Sequence, residues 1–240
     1  MARFMVALGT ALLGALVTVC FAEERLPGEV LDLSPWKLTL PVTSRSDKQA
    51  DEVQTRELST YRHADCFFVN DRADGVVFRG PCGGATTKGS RYPRCELREM
   101  ADPKTRAAWS TDDKTLHVMT MRVAITHAPA KKPHVVCAQI HDADDDLMMV
   151  RLEGQKLFVE RNSLGDVLLD PAYKLGTPFD LKIQAGQGQV KVWYDGQPKL
   201  DWQVSKEGCY FKAGCYTQSN LSKGDTADAF GEVVIYQLTV

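Results

Sequence analysis

Residues 210–218 read YFKAGCYTQ, and polar side chains alternate in this stretch with apolar ones. Because successive side chains of a β-strand point to opposite faces of the sheet, the alternation predicts a strand with two unlike faces. Phe211 and Cys215 suit a packed core, whereas Lys212 and Tyr216 would lie on the opposite, polar face. The stretch therefore favours a sheet with one buried face and one face that carries polar chemistry.

Two stretches earlier in the chain repeat this design: residues 94–98 read RCELR, and residues 139–141 read QIH. The polar side chains that the alternation places on one face are Arg94, Glu96, Arg98, Gln139, His141, Tyr210, Lys212, Tyr216 and Gln218. Cations, amides and hydroxyls are the groups that bind carboxylates and sugar hydroxyls. We therefore expect this face to hold an anionic ligand that carries many hydroxyl groups.

Short alternating stretches separated by turn-forming residues continue along the chain. The further predicted strands are residues 36–42, 61–69, 76–79, 116–126, 134–141, 147–152, 156–160, 179–185, 189–194 and 231–240. No segment keeps a helical period for long, and many short strands with regular turn signals predict an all-β fold of two stacked sheets. We find no internal repeat and no break in composition, so residues 23–240 are predicted to form a single domain.

The composition excludes several kinds of partner. The chain has 240 residues and a formal net charge of −2 at pH 7. A protein of this size buries enough apolar surface to fold without a metal or a disulfide, and we predict no metal site. The nearly balanced charge provides no broad cationic surface, which argues against binding to nucleic acid or to a membrane. We expect a monomer.

The start of the chain has the pattern of a secretory signal peptide over residues 1–22. Arg3 is followed by an almost entirely apolar run, and Ala22 supplies a small residue at the cleavage site. An uncleaved membrane anchor and a lipoprotein acylated at Cys20 are the alternatives, but Val19 stands where acylation requires a small residue. We predict a secreted, extracellular protein, or a periplasmic one if the source is Gram-negative.

Six of the seven cysteines follow the predicted cleavage site, and an even number in a secreted chain points to disulfides. Cys66 and Cys82 flank a predicted hairpin and form the pair that we favour. Cys95 and Cys215 share the predicted core face and are expected to be neighbours. Cys137 falls on the opposite face by alternation, which argues against a core bridge to Cys95. Free buried thiols are the alternative for Cys95, Cys137, Cys209 and Cys215.

An acidic sugar fits the predicted polar face. The guanidinium of Arg94 matches a uronate carboxylate, and Gln139 and His141 add hydrogen-bond donors. Neutralising that carboxylate stabilises the charge that develops when the neighbouring C5 proton leaves. Tyr216 is the candidate acid and base if nearby cations lower its ordinary pKa of about 10, and His141 is the alternative base. This chemistry is β-elimination, which breaks the chain without water and leaves a C4–C5 double bond.

The three stretches resemble the signature strings of the alginate lyases of polysaccharide lyase family 7, and the resemblance extends to residues 36–41 and 231–236. It implies a β-sandwich jelly roll of concanavalin-like type, with a substrate groove across one sheet, that cleaves alginate without a cofactor. The catalytic residues that it implies are Arg94, Gln139, His141 and Tyr216. The substrate-binding residues that it implies are Glu96, Arg98, Tyr210, Lys212 and Gln218, with Glu96 orienting the two arginines.

Two positions refine the resemblance. Cys95 stands where the family usually has serine or threonine, and it should not alter the groove because it points to the core. Ile140, where valine is the other common residue, favours guluronate-containing alginate over mannuronate in this family.

Two other functions compete with the lyase. A glycoside hydrolase on the same kind of sandwich needs two carboxylates that flank the bond, and Glu96 is the only carboxylate in the three stretches. A non-catalytic lectin would rely more on exposed aromatic rings. Residues 142–146 (DADDD) resemble the start of a calcium loop but lack its glycine and glutamate, so they are predicted to form a solvated turn. Residues 219–228 are predicted to form either a mobile lid over the groove or a surface loop.

Overall fold

Fifteen strands and a few helical turns make up the part of the chain that the computed structural model describes, residues 25–44 and 46–240. The predicted signal peptide lies outside the described residues, so its cleavage stays a prediction. The helical segments are one turn of α-helix, α1 (Thr55–Leu58), and 3₁₀ turns at Pro27–Glu29, Asn162–Leu164 and Leu221–Lys223. None of these described helices is long and apolar enough to cross a membrane.

The strands form two stacked antiparallel sheets, which confirms the predicted sandwich. In chain order they are β1 (Trp36–Thr39), β2 (Glu52–Val53), β3 (Phe67–Val69), β4 (Val76–Pro81), β5 (Arg94–Glu99), β6 (His117–His127), β7 (His134–His141), β8 (Asp146–Glu153), β9 (Lys156–Glu160), β10 (Val167–Asp170), β11 (Phe179–Gly186), β12 (Gln189–Tyr194), β13 (Gln197–Gln203), β14 (Tyr210–Thr217) and β15 (Phe230–Thr239).

The order of the strands places the polar stretches side by side. The first sheet has the order β10-β9-β8-β7-β14-β5-β1-β2, and the second has the order β13-β12-β11-β6-β15-β4-β3. The three strands with the polar pattern, β7, β14 and β5, are therefore neighbours in the middle of the first sheet. Side chains more than 40 residues apart in the chain meet there on one face.

A cluster of apolar side chains fills the space between the sheets. Leu97, Ile140 and Phe211 come from the three polar-patterned strands, and each is at most 1% exposed. Val123 and Ile235 from the second sheet belong to the same cluster. Burying a side chain of this size contributes roughly 1.5–3 kcal/mol, so the alternation decides which face of the sheet turns inward.

A β-bulge overturns the parity predicted for Cys137. The pairing of β7 with β8 slips by one residue between Val136 and Ala138. A bulge adds an extra residue to a strand and locally breaks the alternation of its side chains. As a result, Cys137 and Ala138 both belong to the core, and Cys137 is only 1% exposed. The prediction that Cys137 lies on the polar face is therefore wrong.

The predicted disulfide between Cys66 and Cys82 is also wrong, because all six cysteines among the described residues are free and buried. In the β3–β4 hairpin the backbone amide of Arg79 donates to the carbonyl of Cys66 at 2.9 Å, so Cys82 lies three residues beyond that position. Three strand residues span roughly 10 Å, whereas bridged Cα atoms lie within about 7 Å. Cys95 and Cys215 are directly opposite one another, as predicted, but remain thiols.

We expect the folded protein to be insensitive to reducing agents. Burial raises the pKa of the Cys66 and Cys82 thiols to about 11, so both stay protonated and unreactive near neutral pH. An alkylating reagent should modify them only after unfolding, and the Tm should be the same with and without dithiothreitol. A difference in gel mobility between reduced and non-reduced samples of the pure protein would contradict this expectation.

Candidate active site

Seven of the nine polar side chains predicted from the sequence line one cavity of about 350 Å³ on the first sheet, which we call the groove. They are Arg94, Arg98, Gln139, His141, Tyr210, Lys212 and Tyr216. The strand register accounts for this meeting, because Lys212 lies opposite Arg98 in β5 and opposite Gln139 in β7. The prediction that these side chains meet on one face of a sheet is confirmed for these seven residues.

Glu96 lies beneath the groove instead of lining it. Its side chain is 1% exposed, and its carboxylate accepts hydrogen bonds from the amide of Gln139 and the ammonium of Lys212. Arg94 Nη1 lies 3.3 Å from the same carboxylate. Arg98 stacks instead on the ring of Tyr210, with 3.8 Å between the guanidinium carbon and the ring centroid. Glu96 therefore contacts Arg94, which agrees with the predicted orienting role, but it does not contact Arg98, which stacks on Tyr210.

Gln218 is not among the side chains that line the 350 Å³ cavity, so its predicted contact with substrate stays a prediction. β14 ends at Thr217, and Gln218 still lies on the face of Tyr216, because its neighbour Met149 is paired with Gln139 and lies outside the core cluster between the sheets. Gln218 is 8% exposed, and its Nε2 lies 3.7 Å from Met149 Sδ on β8. Its backbone amide donates to the carbonyl of His134 at 3.0 Å. Gln218 thus helps to hold the end of β14 against its neighbouring strands.

The buried charges beneath the groove compensate one another. Burial raises the pKa of Glu96, but the nearby Lys212 and Arg94 outweigh burial and hold this pKa below its usual range. Burial and the neighbouring Arg94 lower the pKa of Lys212 to about 8. At neutral pH the carboxylate is therefore ionised and the ammonium is mostly charged. The cluster keeps a surplus of positive charge beside a cavity that would receive an anion.

His141 is held as a neutral base. Its Nδ1 lies 2.7 Å from the carbonyl oxygen of Asp142. Because a carbonyl only accepts hydrogen bonds, we assign the proton of the neutral ring to Nδ1, which leaves a lone pair on Nε2. Burial and the charge of Lys212 lower the pKa of His141 below its ordinary value, so the ring is neutral at pH 7. Tyr210 stacks on this ring at 5.5 Å between centroids and fixes its plane.

Tyr216 is positioned by a stacked cation and a hydroxyl. The guanidinium carbon of Arg94 lies 3.8 Å from the centroid of the Tyr216 ring, and Ser90 Oγ lies 3.2 Å from Tyr216 Oη. The pairing of β14 with β7 has a bulge between Ala213 and Tyr216, but its pairing with β5 stays regular from Lys212 to Tyr216, so Tyr216 keeps the face of Lys212. Gly214 in this bulge has φ of 137°, and a Cβ there would lie 2.6 Å from the backbone oxygen of Cys95. Only glycine fits at this point of the strand.

Residues that the alternation did not identify complete the rim of the groove. They are Lys37, Thr39, Glu52, Thr87, Gly89, Ser90, Arg106, Ala143, Asp144, Asp145 and Asp146. Lys37 and Thr39 lie on β1, where the neighbouring Trp36 and Leu38 are fully buried, so the alternation in this strand contained a signal for them. The loop residues carry no periodic signal, and only the tertiary structure brings them to the rim.

The rim carries opposite charges on its two sides. Lys37, Arg106 and Glu52 lie on the side of β1, where Lys37 pairs with Glu52 at 2.6 Å. Asp144 and Asp145 lie in the turn between β7 and β8, and Asp146 begins β8. Burial, Asp145 and Glu160 raise the pKa of Asp146 to about 6. A polyanion that crosses the groove therefore meets cations in the middle, a net positive charge on the β1 side, where Arg106 lies beside the Lys37–Glu52 pair, and carboxylates on the other side.

Two predicted loops have defined partners. The carboxylate of Asp142 accepts the backbone amides of Asp144 and Asp145 and pairs with Lys206 at 2.6 Å, so its oxygens are engaged. In residues 219–228, Asp225 accepts the backbone amides of Lys131 and Lys132. None of the residues 219–228 lines the groove, which favours the surface loop over the lid. Within the described residues, no three His, Cys, Asp or Glu side chains are arranged to hold a metal ion.

The fold and the site together define a jelly-roll sandwich with a cation-lined groove across one sheet. A family model described as "Alginate lyase" (Alginate_lyase2) matches residues 31–240. The chain belongs to this family of alginate lyases, and the resemblance to polysaccharide lyase family 7 is confirmed.

Solved structures agree with this membership over most of the chain. Alginate lyase AlgAT5 from Polysaccharide Lyase family 7 is 52% identical, with a TM-score of 0.85, over 90% of this chain and 97% of the other. The alginate lyase from Corynebacterium sp. is 40% identical, also with a TM-score of 0.85 and the same coverage. A curated alginate lyase of Klebsiella pneumoniae is 45% identical over 76 residues, which span 31% of this chain and 24% of that protein.

Proposed function

We propose that this protein is a secreted enzyme that cleaves alginate by β-elimination and leaves 4,5-unsaturated uronate ends. The observation that carries the proposal is the meeting of Arg94, Gln139, His141 and Tyr216 on one groove, above a buried carboxylate that orients two of them. Membership of the alginate lyase family supports the substrate, and the cationic floor of the groove suits a polyuronate.

The substrate carboxylate is neutralised by Arg94 and Gln139 in this proposal. Each side chain donates one N–H group to Glu96, and each has further N–H groups that can donate to a ligand. Arg94 Nε is buried and has no hydrogen-bond partner among the described protein atoms. When the C5 proton leaves, negative charge moves onto the substrate carboxylate, and these donors stabilise it. Removing one such donor from an oxyanion site typically costs about 3 kcal/mol in the barrier.

Two proton transfers complete the reaction. The base removes the C5 proton, the electron pair of that bond forms the C4–C5 double bond, and the C4–O4 bond breaks. O4 leaves with a proton from the acid, so no water is consumed. Tyr216 is the proposed acid and base, and His141 Nε2 is the alternative base for guluronate, because its lone pair is free at neutral pH.

One assay separates this proposal from the two competing functions. The protein is mixed with alginate while ultraviolet absorbance of the conjugated product, reducing ends and viscosity are followed. We expect absorbance and reducing ends to rise together as viscosity falls. Reducing ends without absorbance would indicate a hydrolase, and retention of the polymer without either signal would indicate a lectin. Glu96 already argues against the hydrolase, because it is buried and its pKa is below the range of a general acid.

The preference for guluronate-containing alginate is part of the proposal and rests on Ile140. Ile140 lies on the core-facing side of β7 and is fully buried. Its influence on substrate choice would therefore act through the positions of its neighbours Gln139 and His141. Purified polyguluronate and polymannuronate compared at equal concentration test the preference. A faster initial rate on polymannuronate would contradict it.

Secretion is proposed from the sequence pattern of residues 1–22 alone. Residues 23–240 are then the mature catalytic domain, which we expect to act as a monomer. Expression of the full chain in a secreting host, followed by N-terminal sequencing of the exported protein, tests the cleavage site. Sequencing that begins at residue 1 would contradict the prediction.

The activity should decline as the pH rises through about 8, since Lys212 loses its charge there and the groove loses a cation. Arg94, Glu96, Arg98 and His141 are the charged or titratable groups around it. Lys212→Arg keeps the charge, so the alkaline decline in kcat/KM should move to higher pH. The pH profiles of both proteins at constant ionic strength give the comparison, with activity at pH 7 as the control for folding. If the two proteins lose kcat/KM over the same alkaline pH range, this role of Lys212 is ruled out.

A further inference from the structure

We infer that the protein has a second binding surface for acidic polysaccharide on the outer face of the second sheet, remote from the groove. We define this back surface by Arg122, Asp180, Lys182, Trp193 and Gln237, which line a cavity of about 490 Å³. The inference rests on the proposed function in one respect, because it takes the polymer that the groove cleaves as the ligand.

The register of the second sheet builds the back surface as a continuous patch. Gln237 on β15 lies opposite Arg122 on β6, and Arg122 lies opposite Asp180 on β11. Lys182 on β11 lies opposite Trp193 on β12. Residues next to these in the strands, such as Met121 and Leu181, point into the core. The patch therefore faces away from the core and from the first sheet that carries the groove.

Trp193 supplies an aromatic platform in this patch. Its side chain is partly exposed, and it borders both the 490 Å³ cavity and a second hollow of about 340 Å³ beside Lys199. Lys182 Nζ lies 4.7 Å from the centroid of the indole ring. A flat apolar ring flanked by hollows and polar side chains is the arrangement that holds a sugar ring, since the sugar packs on the ring while its hydroxyls and charges meet the polar groups.

The charge of the surface selects the kind of sugar. The residues that line the two hollows include four cations and two carboxylates, namely Arg122, Lys182, Lys191, Lys199, Asp180 and Asp201. Arg122 pairs with Asp180 at 3.0 Å, and Lys191 pairs with Asp201 at 3.4 Å. Lys182 and Lys199 contact aromatic rings, and neither forms an ion pair with a carboxylate within the described residues. Lys182 beside the indole and Lys199 in the hollow that the indole borders match a polyuronate better than a neutral polysaccharide.

A second binding surface would raise the affinity for polymeric alginate and leave the rate of bond cleavage in the groove unchanged. A long alginate chain held on the back surface keeps the enzyme near further chains, which raises the effective concentration of substrate at the groove. A short oligomer that occupies only the groove gains nothing from it. The back surface should therefore affect affinity for polymer and leave the turnover of trimers and tetramers unchanged.

The test measures binding to polymeric alginate with the Tyr216→Phe protein as a background that does not degrade the ligand. Retardation of the full chain in native gels that contain alginate gives the affinity. We expect Trp193→Ala in this background to weaken the affinity about tenfold. Trp193→Phe, which keeps a ring and its packing, should retain most of the affinity, and Lys182→Gln with Lys199→Gln should weaken it. Equal Tm values show that the variants are folded.

Three outcomes decide the matter. Unchanged retardation of a folded Trp193→Ala protein overturns the inference, and so does an equal effect of this substitution on a neutral polysaccharide. Slower cleavage of polymer by Trp193→Ala with Tyr216 intact, and unchanged kcat/KM on tetramers, supports it. Failure of the proposed function is seen separately, because the unsubstituted protein would then produce no unsaturated product from alginate.

Discussion

Replacing Tyr216 with phenylalanine is expected to abolish turnover of alginate and to leave substrate binding largely intact. The substitution removes only the hydroxyl, so the ring that stacks under the Arg94 guanidinium at 3.8 Å is kept. Without the hydroxyl no group at this position transfers a proton to O4. Acid–base groups contribute typically 10²–10⁴-fold, so kcat should fall by at least about 100-fold. Absorbance of the unsaturated product gives kcat, and retardation in alginate gels gives the affinity.

Tyr92 provides a matched control for this substitution. Its ring lies 6.4 Å from the ring of Tyr216, and its hydroxyl accepts a hydrogen bond from Lys132 at 3.2 Å. Tyr92 does not line the groove, so Tyr92→Phe should keep most of the activity. Near-full activity of Tyr216→Phe, or equal losses in both variants, would show that the Tyr216 hydroxyl is not the group that transfers the proton.

Replacing Glu96 with glutamine is expected to weaken both the fold and the activity. The carboxylate is 1% exposed and is the partner of Lys212 and Arg94, so a neutral amide leaves two buried cations uncompensated. Breaking a buried ion pair by removing one partner costs about 3–5 kcal/mol of stability. Arg94 and Gln139 also lose their anchor, so kcat/KM should fall more than tenfold even where the variant is fully folded. Urea unfolding and steady-state kinetics on alginate measure the two effects.

The stability lost in Glu96→Gln should depend on pH with a defined sign. The pKa of Glu96 is lowered in the folded protein, so its contribution is present above the unfolded value and is lost as the pH falls through the folded value. The difference in unfolding free energy between the two proteins should therefore shrink at acid pH. The double variant Glu96→Gln with Lys212→Met removes both charges and should recover part of the stability. A constant difference at all pH values would contradict the ionic role of Glu96.

Much of the fold was predictable because alternation is a local property of the chain. The bounds of β7, β9 and β12 agree with the predicted strands. β13 was missed because it carries Pro198 and lies at the edge of its sheet, where a proline does not interrupt the pairing of the strand. β2 and β10 were missed because they are short. The predicted strand 61–69 shrank to Phe67–Val69, since residues 63–66 form a turn in which Cys66 N donates to His63 O.

The groove was predictable to the extent that its residues lie within regular strands. Arg94, Lys212 and Tyr216 lie where their parity places them, and Gln218 keeps the same face one residue beyond the end of β14, beside Met149. The bulge beside Cys137 has no signal in the alternating pattern, since one added residue appears only as a slip of pairing. The acidic turn and the Ser90 loop reach the rim through the packing of segments that have no period.

The sequence by itself determined which side chains share a face within each regular strand and what chemistry that face can perform, because successive side chains of a strand point to opposite faces of the sheet. Only the tertiary structure decided that Glu96 anchors Lys212, Gln139 and Arg94 together, and that the six described cysteines remain free thiols. Distances between different strands depend on register, bulges and the paths of loops. Those are set by the packing of the whole sandwich, and no single stretch of the chain contains them.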